Sequence, residues 1–397
     1  MTSLLVSGGD LLTPFELIED GALLVRDGRI ERVGPRSELE RETADQRVDA
    51  GGGLICPGFV DLQVNGGGGV MFTEEPSRDA LERIARAHVR FGTTALLATV
   101  VTAQPERMVE GLAVVGEAVA GPPPGARLLG AHLEGPFIDP KRRGAHDERL
   151  IRPPDREAFE RLRRAANGAL RMITLAPELP GALDLIAAAR AASVAVSIGH
   201  SDATFEEAEE AIDAGASFGT HVFNGMRGLA HRDPGVVGAL LRDERAVAGV
   251  IADGVHVHPA VLHLIWRAKG ADGVAIVTDA MPSIGLDVSS FRMRGAEIVV
   301  RDGGCYMKDG TLVGSALPMN SALRVMHQAA GVPLLDCVQM ATATPARVLG
   351  LEGEIGVLRA GARADIVVCD RDLNVSQVYV GGALMYAAAA HGEGGAS

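Results

Sequence analysis

Cysteine, cationic charge and long apolar runs are all scarce in this sequence. Four cysteines among 397 residues include no CxxC pair, which argues against a disulfide framework or a thiolate zinc site and predicts buried, reduced thiols. The formal net charge of −13 argues against general nucleic-acid binding, because a phosphate backbone requires a basic face. No apolar stretch reaches the roughly 18 to 20 residues that a membrane span needs. Since the N-terminal segment also lacks a basic region before its short apolar run, we expect a cytoplasmic protein without a membrane partner.

After its first fifty residues the sequence alternates between apolar runs and amphipathic segments. Eight candidate strands cover residues 54–65, 93–100, 127–134, 172–177, 194–200, 216–223, 247–253 and 274–279. The segments between them have helical periodicity; residues 77–92, for example, place Leu81, Ile84 and His88 on one face before Gly92. This repeat predicts an α/β fold with a closed, TIM-like (β/α)8 barrel.

The two ends of the chain have a different pattern from the middle. Residues 1–53 and 357–397 consist of short alternating strands interrupted by glycine, and these strands can pair with one another. We therefore expect both ends to form one small β-sandwich domain, with the barrel as the catalytic domain over residues 54–356.

Four polar side chains lie where predicted barrel strands end: Glu134, His200, His221 and Asp279. Active sites of such barrels are built at the C-terminal ends of the strands. One carboxylate and two imidazoles suit a divalent metal with an open position for water. Any one of these residues could be a hydrogen-bonded structural residue, but four at equivalent positions indicate a metal site.

Seven short motifs follow one another along the predicted barrel: PGFVDLQVNGGGG, HLEGPF, GHSDAT, THVFNGM, DGVHV, VTDA and GTLVGSAL. Their order and spacing resemble the N-acetylglucosamine-6-phosphate deacetylases of the amidohydrolase superfamily, and GARADIVVCD resembles the closing signature of that superfamily. The resemblance implies that Glu134, His200 and His221 bind one divalent metal ion per chain. Zinc is expected, with Fe²⁺, Co²⁺ or Mn²⁺ as alternatives. It also implies that Asp279 is the catalytic base; the alternative is a buried carboxylate that only orients a histidine ligand.

Members of the superfamily often carry a histidine pair, HxH, after the first barrel strand. Here that position has Gln63 and Asn65, and neutral amides are poor ligands for a transition metal. The sequence therefore resembles the single-metal subgroup. The histidine pair His256 and His258 cannot replace the missing one, because it follows the seventh strand; the resemblance makes His256 a substrate contact, and His258 is expected to be structural.

The resemblance implies hydrolysis of N-acetyl-D-glucosamine 6-phosphate to D-glucosamine 6-phosphate and acetate, and a homodimer with substrate contacts that cross the interface. The implied substrate contacts are Ala145, His146, Asn224, Gly225, Arg232, His256, Val313, Gly314 and Ser315. Among them Arg232 matches the phosphate-contacting arginine of the family, although a solvated loop arginine is the alternative. The family often has alanine at the position of Gly225.

Two other readings of the sequence stay open. A related amidohydrolase could act on N-acetylgalactosamine 6-phosphate or on an imidazolone or dihydropyrimidine ring, but the ring hydrolases typically carry the HxH pair. A non-catalytic barrel is the alternative from a different class. The sequence keeps the candidate ligands and base, which argues against a non-catalytic barrel: Glu134, His200, His221 and Asp279.

Overall fold

The computed structural model describes residues 3–389, which fold around a barrel of eight parallel strands. These strands, labelled β1 to β8, are Phe59–Val64, Thr93–Val101, Arg127–Glu134, Leu170–Leu175, Ala195–Ile198, Phe218–Gly219, Val247–Val250 and Val274–Ile276. Each strand pairs in parallel with the next one along the chain. The N–H of Asp279 donates to Gln63 O, and that of Asn65 to Ala280 O, each over 3.0 Å, so the barrel is nearly closed. Each of the eight predicted segments contains or overlaps a barrel strand, although several strands are shorter than predicted; the sixth is only Phe218–Gly219.

Helices alternate with the strands and cover the outside of the barrel. Those between strands are Arg78–Val89, Pro105–Ala120, Arg156–Ala165, Ala182–Ala191, Phe205–Ala214, Gly235–Arg242 and Pro259–Lys269, and those after β8 are Met319–Arg324, Leu334–Ala341 and Ala343–Val348, with a π turn at Val325–Ala329. Ser77 caps the first helix, since its side chain accepts the N–H of Ala80. The inward face of this helix is buried as predicted. It is followed by Gly92, whose φ of +89° and closeness to the Phe59 ring exclude a larger side chain.

The two chain ends form one eight-stranded sheet, as predicted for the small β domain. Its strands are Ser3–Leu12, Leu17–Arg26, Arg29–Pro35, Gln46–Asp49, Leu54–Pro57, Ile366–Cys369, Val375–Val380 and Ala383–Ala387, and a single-turn helix covers Arg36–Leu39. Leu54–Pro57 pairs with Ile366–Cys369, so the segment predicted as one strand over residues 54–65 is divided between the sheet and the barrel. The domain limits stay a prediction, and residues 1, 2 and 390–397 lie outside the described residues.

A second, smaller sheet follows β8 and lies against the mouth of the barrel. Its strands are Ser290–Met293, Ala296–Arg301, Gly304–Tyr306 and Leu312–Ser315. The short strands Gly66–Gly67 and Val70–Met71 and the 3₁₀ turns Pro140–Arg142 and Glu148–Leu150 belong to loops at the C-terminal ends of β1 and β3. Met293, Ile298 and Cys305 of the sheet form an apolar cluster with Met71 of the loop after β1 and Val101 at the end of β2. We call the hairpin over residues 290–301 the mouth hairpin.

The scarcity of cysteine and of long apolar runs has the expected structural counterparts. All four cysteines are buried and free. Among residues 3–389, no helix combines the length and apolar character that crossing a bilayer requires.

Candidate metal centre and active site

Three predicted ligands meet at the C-terminal end of the barrel. Glu134 is the last residue of β3, whereas His200 and His221 follow β5 and β6. The Nε2 atoms of the two histidines lie 3.2 and 3.1 Å from Glu134 Oε1 and 3.2 Å from each other. All three side chains are buried, so these atoms form a compact triangle away from bulk water.

The backbone determines which nitrogen of each histidine faces the centre. His200 Nδ1 lies 2.9 Å from Arg142 O, and His221 Nδ1 lies 3.1 Å from Asn224 O. Because a carbonyl oxygen can only accept, each Nδ1 carries the proton and each Nε2 presents a lone pair. Two lone pairs and a carboxylate then converge on one point, and only a cation there removes their repulsion. Ligand atoms at roughly 2.0–2.1 Å from a tetrahedral zinc stand about 3.3 Å apart, so the triangle fits one such ion.

The titration behaviour of these side chains indicates the same need for positive charge. Burial opposes ionisation of Glu134, yet the neighbouring imidazoles of His200 and His221 hold the pKa of its carboxyl well below the usual range. Burial works against a charged His221, but the Glu134 carboxylate 3.1 Å from its Nε2 raises the pKa of His221 nevertheless, because a proton on Nε2 can take the place of the cation. In both cases a positive charge at the centre is favoured over a neutral cluster.

Three residues of the site have backbone conformations that side chains rarely adopt. The φ angles are +49° at His200, +27° at His221 and +49° at Asp279. A left-handed conformation at a residue other than glycine costs on the order of 1–3 kcal/mol and persists only where the surrounding structure enforces it. Such strain is concentrated at functional sites, and here it occurs at the C-terminal ends of β5, β6 and β8.

Asp279 lies beside this triangle, held by the two amides that occupy the place of an HxH pair. Asn65 Nδ2 donates to Asp279 Oδ1 over 2.6 Å, and Gln63 Nε2 donates to the same oxygen over 3.1 Å. Gln63 Nε2 also lies 2.9 Å from Glu134 Oε1. The Oε1 of Gln63 accepts a hydrogen bond from Thr220 Oγ1. Burial, with a further effect of the Glu134 charge, raises the pKa of Asp279. A buried carboxylate with a raised pKa next to a metal-binding triangle is suited to accept and return a proton.

The comparisons with known proteins agree with this geometry. The family model described as the amidohydrolase family matches residues 54–385. The chain belongs to the amidohydrolase family. An N-acetylglucosamine-6-phosphate deacetylase of Bos taurus is 39% identical in an alignment of 389 positions, which covers 94% of this amidohydrolase and 95% of the bovine protein. An N-acetylgalactosamine-6-phosphate deacetylase of Escherichia coli O157:H7 is 36% identical over 94% of this chain and 97% of its own length.

Solved structures are similar along the whole of this amidohydrolase. A mutant N-acetyl-D-glucosamine-6-phosphate deacetylase of Mycobacterium smegmatis, in complex with N-acetyl-D-glucosamine-6-phosphate, has a TM-score of 0.90 and 35% identity, and the match covers 97% of this chain and 100% of that one. The enzyme of Pasteurella multocida has a TM-score of 0.91 and 34% identity over the same shares.

One cavity at the barrel mouth joins the triangle, Asp279 and most of the predicted substrate contacts. Of those contacts, Ala145, His146, Asn224, Gly225, His256, Val313 and Gly314 line this catalytic pocket. Arg232 is exposed in the loop after β6 and lies outside the pocket wall formed by the described residues. Ser315 also lies behind the wall: it is buried, its hydroxyl donates to Thr278 O, and its N–H donates to Asp279 O over 3.0 Å. Both residues stay predictions as substrate contacts.

The histidines of the amidohydrolase pocket do not share one role. His146 Nδ1 lies 2.8 Å from Thr102 Oγ1, and burial together with the charge of His200 lowers the pKa of His146 to about 3. It is therefore neutral near pH 7 and offers hydrogen bonds instead of charge. His256 Nδ1 lies 2.5 Å from Asp253 Oδ2, which fixes its ring in the wall. His258 is exposed and accepts the N–H of Ala260 at the start of a helix, so the structure gives it the structural role that was predicted.

Sequence reasoning missed most of the apolar wall of the pocket and one cation. The missed lining residues are Asn65, Met71, Val101, Gly144, Ile251, Met281, Met293, Arg294 and Leu312. Arg294 supplies the one Lys or Arg side chain among the described residues that line the pocket. In the sequence, the pair Arg294-Gly295 lies between two segments of alternating polarity, and this pattern predicts a hairpin with its turn at Arg294. It does not predict that the turn lies at the barrel mouth.

Proposed function

We propose that this amidohydrolase is an N-acetylglucosamine-6-phosphate deacetylase, which hydrolyses N-acetyl-D-glucosamine 6-phosphate to D-glucosamine 6-phosphate and acetate. The observation that carries the proposal is the placement of Asp279 beside the triangle of Glu134, His200 and His221 in one pocket. The relatives that bear this name match at 34–40% identity over most of the chain. The names of these relatives support the proposed substrate, and the arrangement of Asp279 and the triangle in the pocket supports the proposed reaction.

Glu134, His200 and His221 are proposed to hold one divalent ion, zinc in the first instance. When bound, such an ion polarises an amide carbonyl and lowers the pKa of water toward neutrality. Asp279 then takes the proton of the attacking water on its Oδ2, because Oδ1 already accepts two amide N–H groups. The same oxygen returns that proton to the nitrogen as the C–N bond breaks, since an amide anion cannot leave at neutral pH.

The sugar is proposed to contact the polar part of the pocket wall. Ala145 and His146 lie on one side of the pocket, Asn224 and Gly225 follow His221, and His256 follows β7. The buried Oδ1 of Asn65 has no hydrogen-bond partner among the described residues, and Asn65 is one of the residues that line the same space. An acceptor in this position suits the N–H of the substrate amide.

We further propose a cytoplasmic homodimer in which the phosphate site is shared between two copies. Arg232 is the predicted phosphate contact, yet it is exposed and lies outside the pocket of its own chain. Leu229, in the same loop, is 53% exposed, as expected of a surface that another copy covers. A guanidinium pairs with phosphate through two parallel hydrogen bonds, so Arg232 of one copy would complete the pocket of the other.

Release of amine and acetate from purified protein tests the function. The substrates are N-acetylglucosamine 6-phosphate, its galacto epimer and unphosphorylated N-acetylglucosamine. We expect one amine and one acetate per substrate, with the highest kcat/KM for the phosphorylated gluco sugar. Faster turnover of the galacto sugar would reassign the substrate to the epimer named for the E. coli relative. No release from any of the three by protein that contains its metal would overturn the proposal.

A further inference from the structure

The tip of the mouth hairpin is fastened to three different barrel loops by one residue. Arg294 and Gly295 form its turn with φ angles of +49° and +77°, as in a type I′ hairpin. The backbone N–H of Arg294 donates to the Glu74 carboxylate over 2.7 Å. Its guanidinium donates to Ala145 O over 3.1 Å and to Thr102 O over 3.3 Å. Glu74, Thr102 and Ala145 lie in the loops after β1, β2 and β3, so the hairpin cannot leave the mouth without breaking contacts with all three.

Behind this tip lies a second cavity, which shares part of its wall with the catalytic pocket. Met71, Val101 and Arg294 line both spaces. The second cavity has a free volume of about 560 Å³, against about 160 Å³ in the catalytic pocket. The side chain of Arg294, an exposed residue, is therefore part of a partition, and the space on its far side is a groove open to solvent.

The chemistry of the pocket indicates which end of the substrate faces this partition. The scissile carbonyl must lie at the triangle, and the hydroxyls and phosphate of the sugar match the polar wall. The acetyl methyl is the apolar group of the substrate, and it matches the wall formed by Met71, Val101, Met281 and Met293. Arg294 lines the same pocket as these apolar side chains, and it shares the wall toward the second cavity with Met71 and Val101.

We propose that Arg294 is a specificity-determining residue that closes the acyl end of the pocket and restricts the enzyme to the acetyl group. The inference rests on the proposed deacetylase function. A longer N-acyl chain would be cleaved by the same step, in which water oxygen bonds to the carbonyl carbon, the C–N bond breaks and the amine takes the proton. What the partition removes is the space for additional methylene groups.

The charges around Arg294 favour this barrier role over phosphate binding. Glu74 and Asp147 both act on its guanidinium, and two of its five N–H donors already bond to backbone carbonyls. The positive charge is thus balanced in part by protein carboxylates, and part of the hydrogen-bonding capacity of the guanidinium is used within the protein. Phosphate anchoring is a distinct outcome of the experiment below.

The test measures kcat and KM for N-acetyl-, N-propionyl- and N-butyrylglucosamine 6-phosphate, and for unphosphorylated N-acetylglucosamine, in the wild type, Arg294→Ala, Arg294→Lys and Arg292→Ala. The butyryl-to-acetyl ratio within each protein cancels losses that affect folding, metal content or loop order. Two additional buried methylenes are worth about tenfold in that ratio, so we expect Arg294→Ala to raise it by about that factor. Arg294→Lys keeps most of the stem and should keep the ratio low. Arg292→Ala is the matched control, because Arg292 belongs to the same hairpin and bonds to Gly295 O outside both cavities.

Three results would overturn the inference. The ratio in Arg294→Ala could equal that of the wild type, or it could rise to the same extent in Arg292→Ala. Arg294→Ala could also raise KM for phosphorylated sugars alone at an unchanged acyl ratio, which would make Arg294 a phosphate anchor. If the wild type cleaves N-acetylglucosamine 6-phosphate in all three cases, the proposed function stands and the partition alone is wrong. If the wild type releases no acetate, the proposed function fails and this inference fails with it.

Discussion

The substitution Asp279→Asn separates proton transfer from everything else the site does. Asp279 Oδ1 accepts the N–H groups of Asn65 and Gln63, and the asparagine side chain can present its own Oδ1 to the same donors. The second oxygen becomes an NH₂ group, which cannot take a proton from water. Shape and packing are therefore retained while basicity is lost.

The expected loss of kcat is on the order of 10² to 10⁴, which corresponds to about 3 to 5 kcal/mol of transition-state stabilisation. Thermal stability should not fall, because burial raises the pKa of Asp279 and the ionised form is therefore costly to bury. The metal should stay bound, since Glu134, His200 and His221 are unchanged.

The assay measures amine release at saturating substrate, with metal content determined by elemental analysis on the same sample. Asp61→Asn serves as the control, because Asp61 is a buried carboxylate that accepts from Thr278 and does not line the pocket. Its kcat should stay within about tenfold of the wild type. The assignment of Asp279 as the base is refuted if Asp279→Asn retains near wild-type kcat with its metal bound. It is also refuted if the control loses as much activity.

The remaining predictions concern the metal, the phosphate and pH. With amides at Gln63 and Asn65, elemental analysis should find one tightly held metal per chain, and two would contradict the single-site interpretation. Arg232→Ala should raise KM for the phosphorylated sugar about tenfold to hundredfold, the worth of one charge-assisted contact, while the unphosphorylated sugar is affected little; equal losses on both would make Arg232 structural. Burial raises the pKa of Asp61 from 3.8 to about 7, so the stability it contributes is complete below its ordinary pKa and is lost as pH rises to about 7. The Tm of the wild type should therefore decline between pH 5 and pH 8, and the decline should be smaller in Asp61→Asn. If the Tm of both proteins changed equally with pH, Asp61 would not be the group responsible.

Much of the barrel was predictable from the sequence because its strands are short apolar runs at regular intervals. The segment 127–134 is a clear case, in which the apolar run, its end at Glu134 and the place of that carboxylate at the mouth all agree with the structure. The first strand was predicted too long, because residues 54–65 are apolar on both sides of Gly58. Apolar patterning cannot detect that the chain passes there from one sheet to another.

The ligand triangle and Asp279 could be predicted, whereas the wall around them could not. Strand ends carry positional information, so polar side chains at four such ends imply a common site. Arg294 belongs to a hairpin whose docking depends on contacts with loops that are distant in sequence, and nothing local encodes its place. The position of Arg232 outside its own pocket likewise depends on the course of a loop and not on the motif around it.

The hydrogen bonds that close the barrel also divide the chemistry between two parts of the chain. Glu134, His200 and His221 come from the middle of the sequence, whereas Asp279 and the amides of Gln63 and Asn65 meet only where the last strand returns to the first. In the order of synthesis, all three ligand residues precede β8, the strand whose return to β1 forms the seam. A nascent or locally opened barrel could then capture an ion without being able to hydrolyse anything, and turnover would report that the first and last strands have joined.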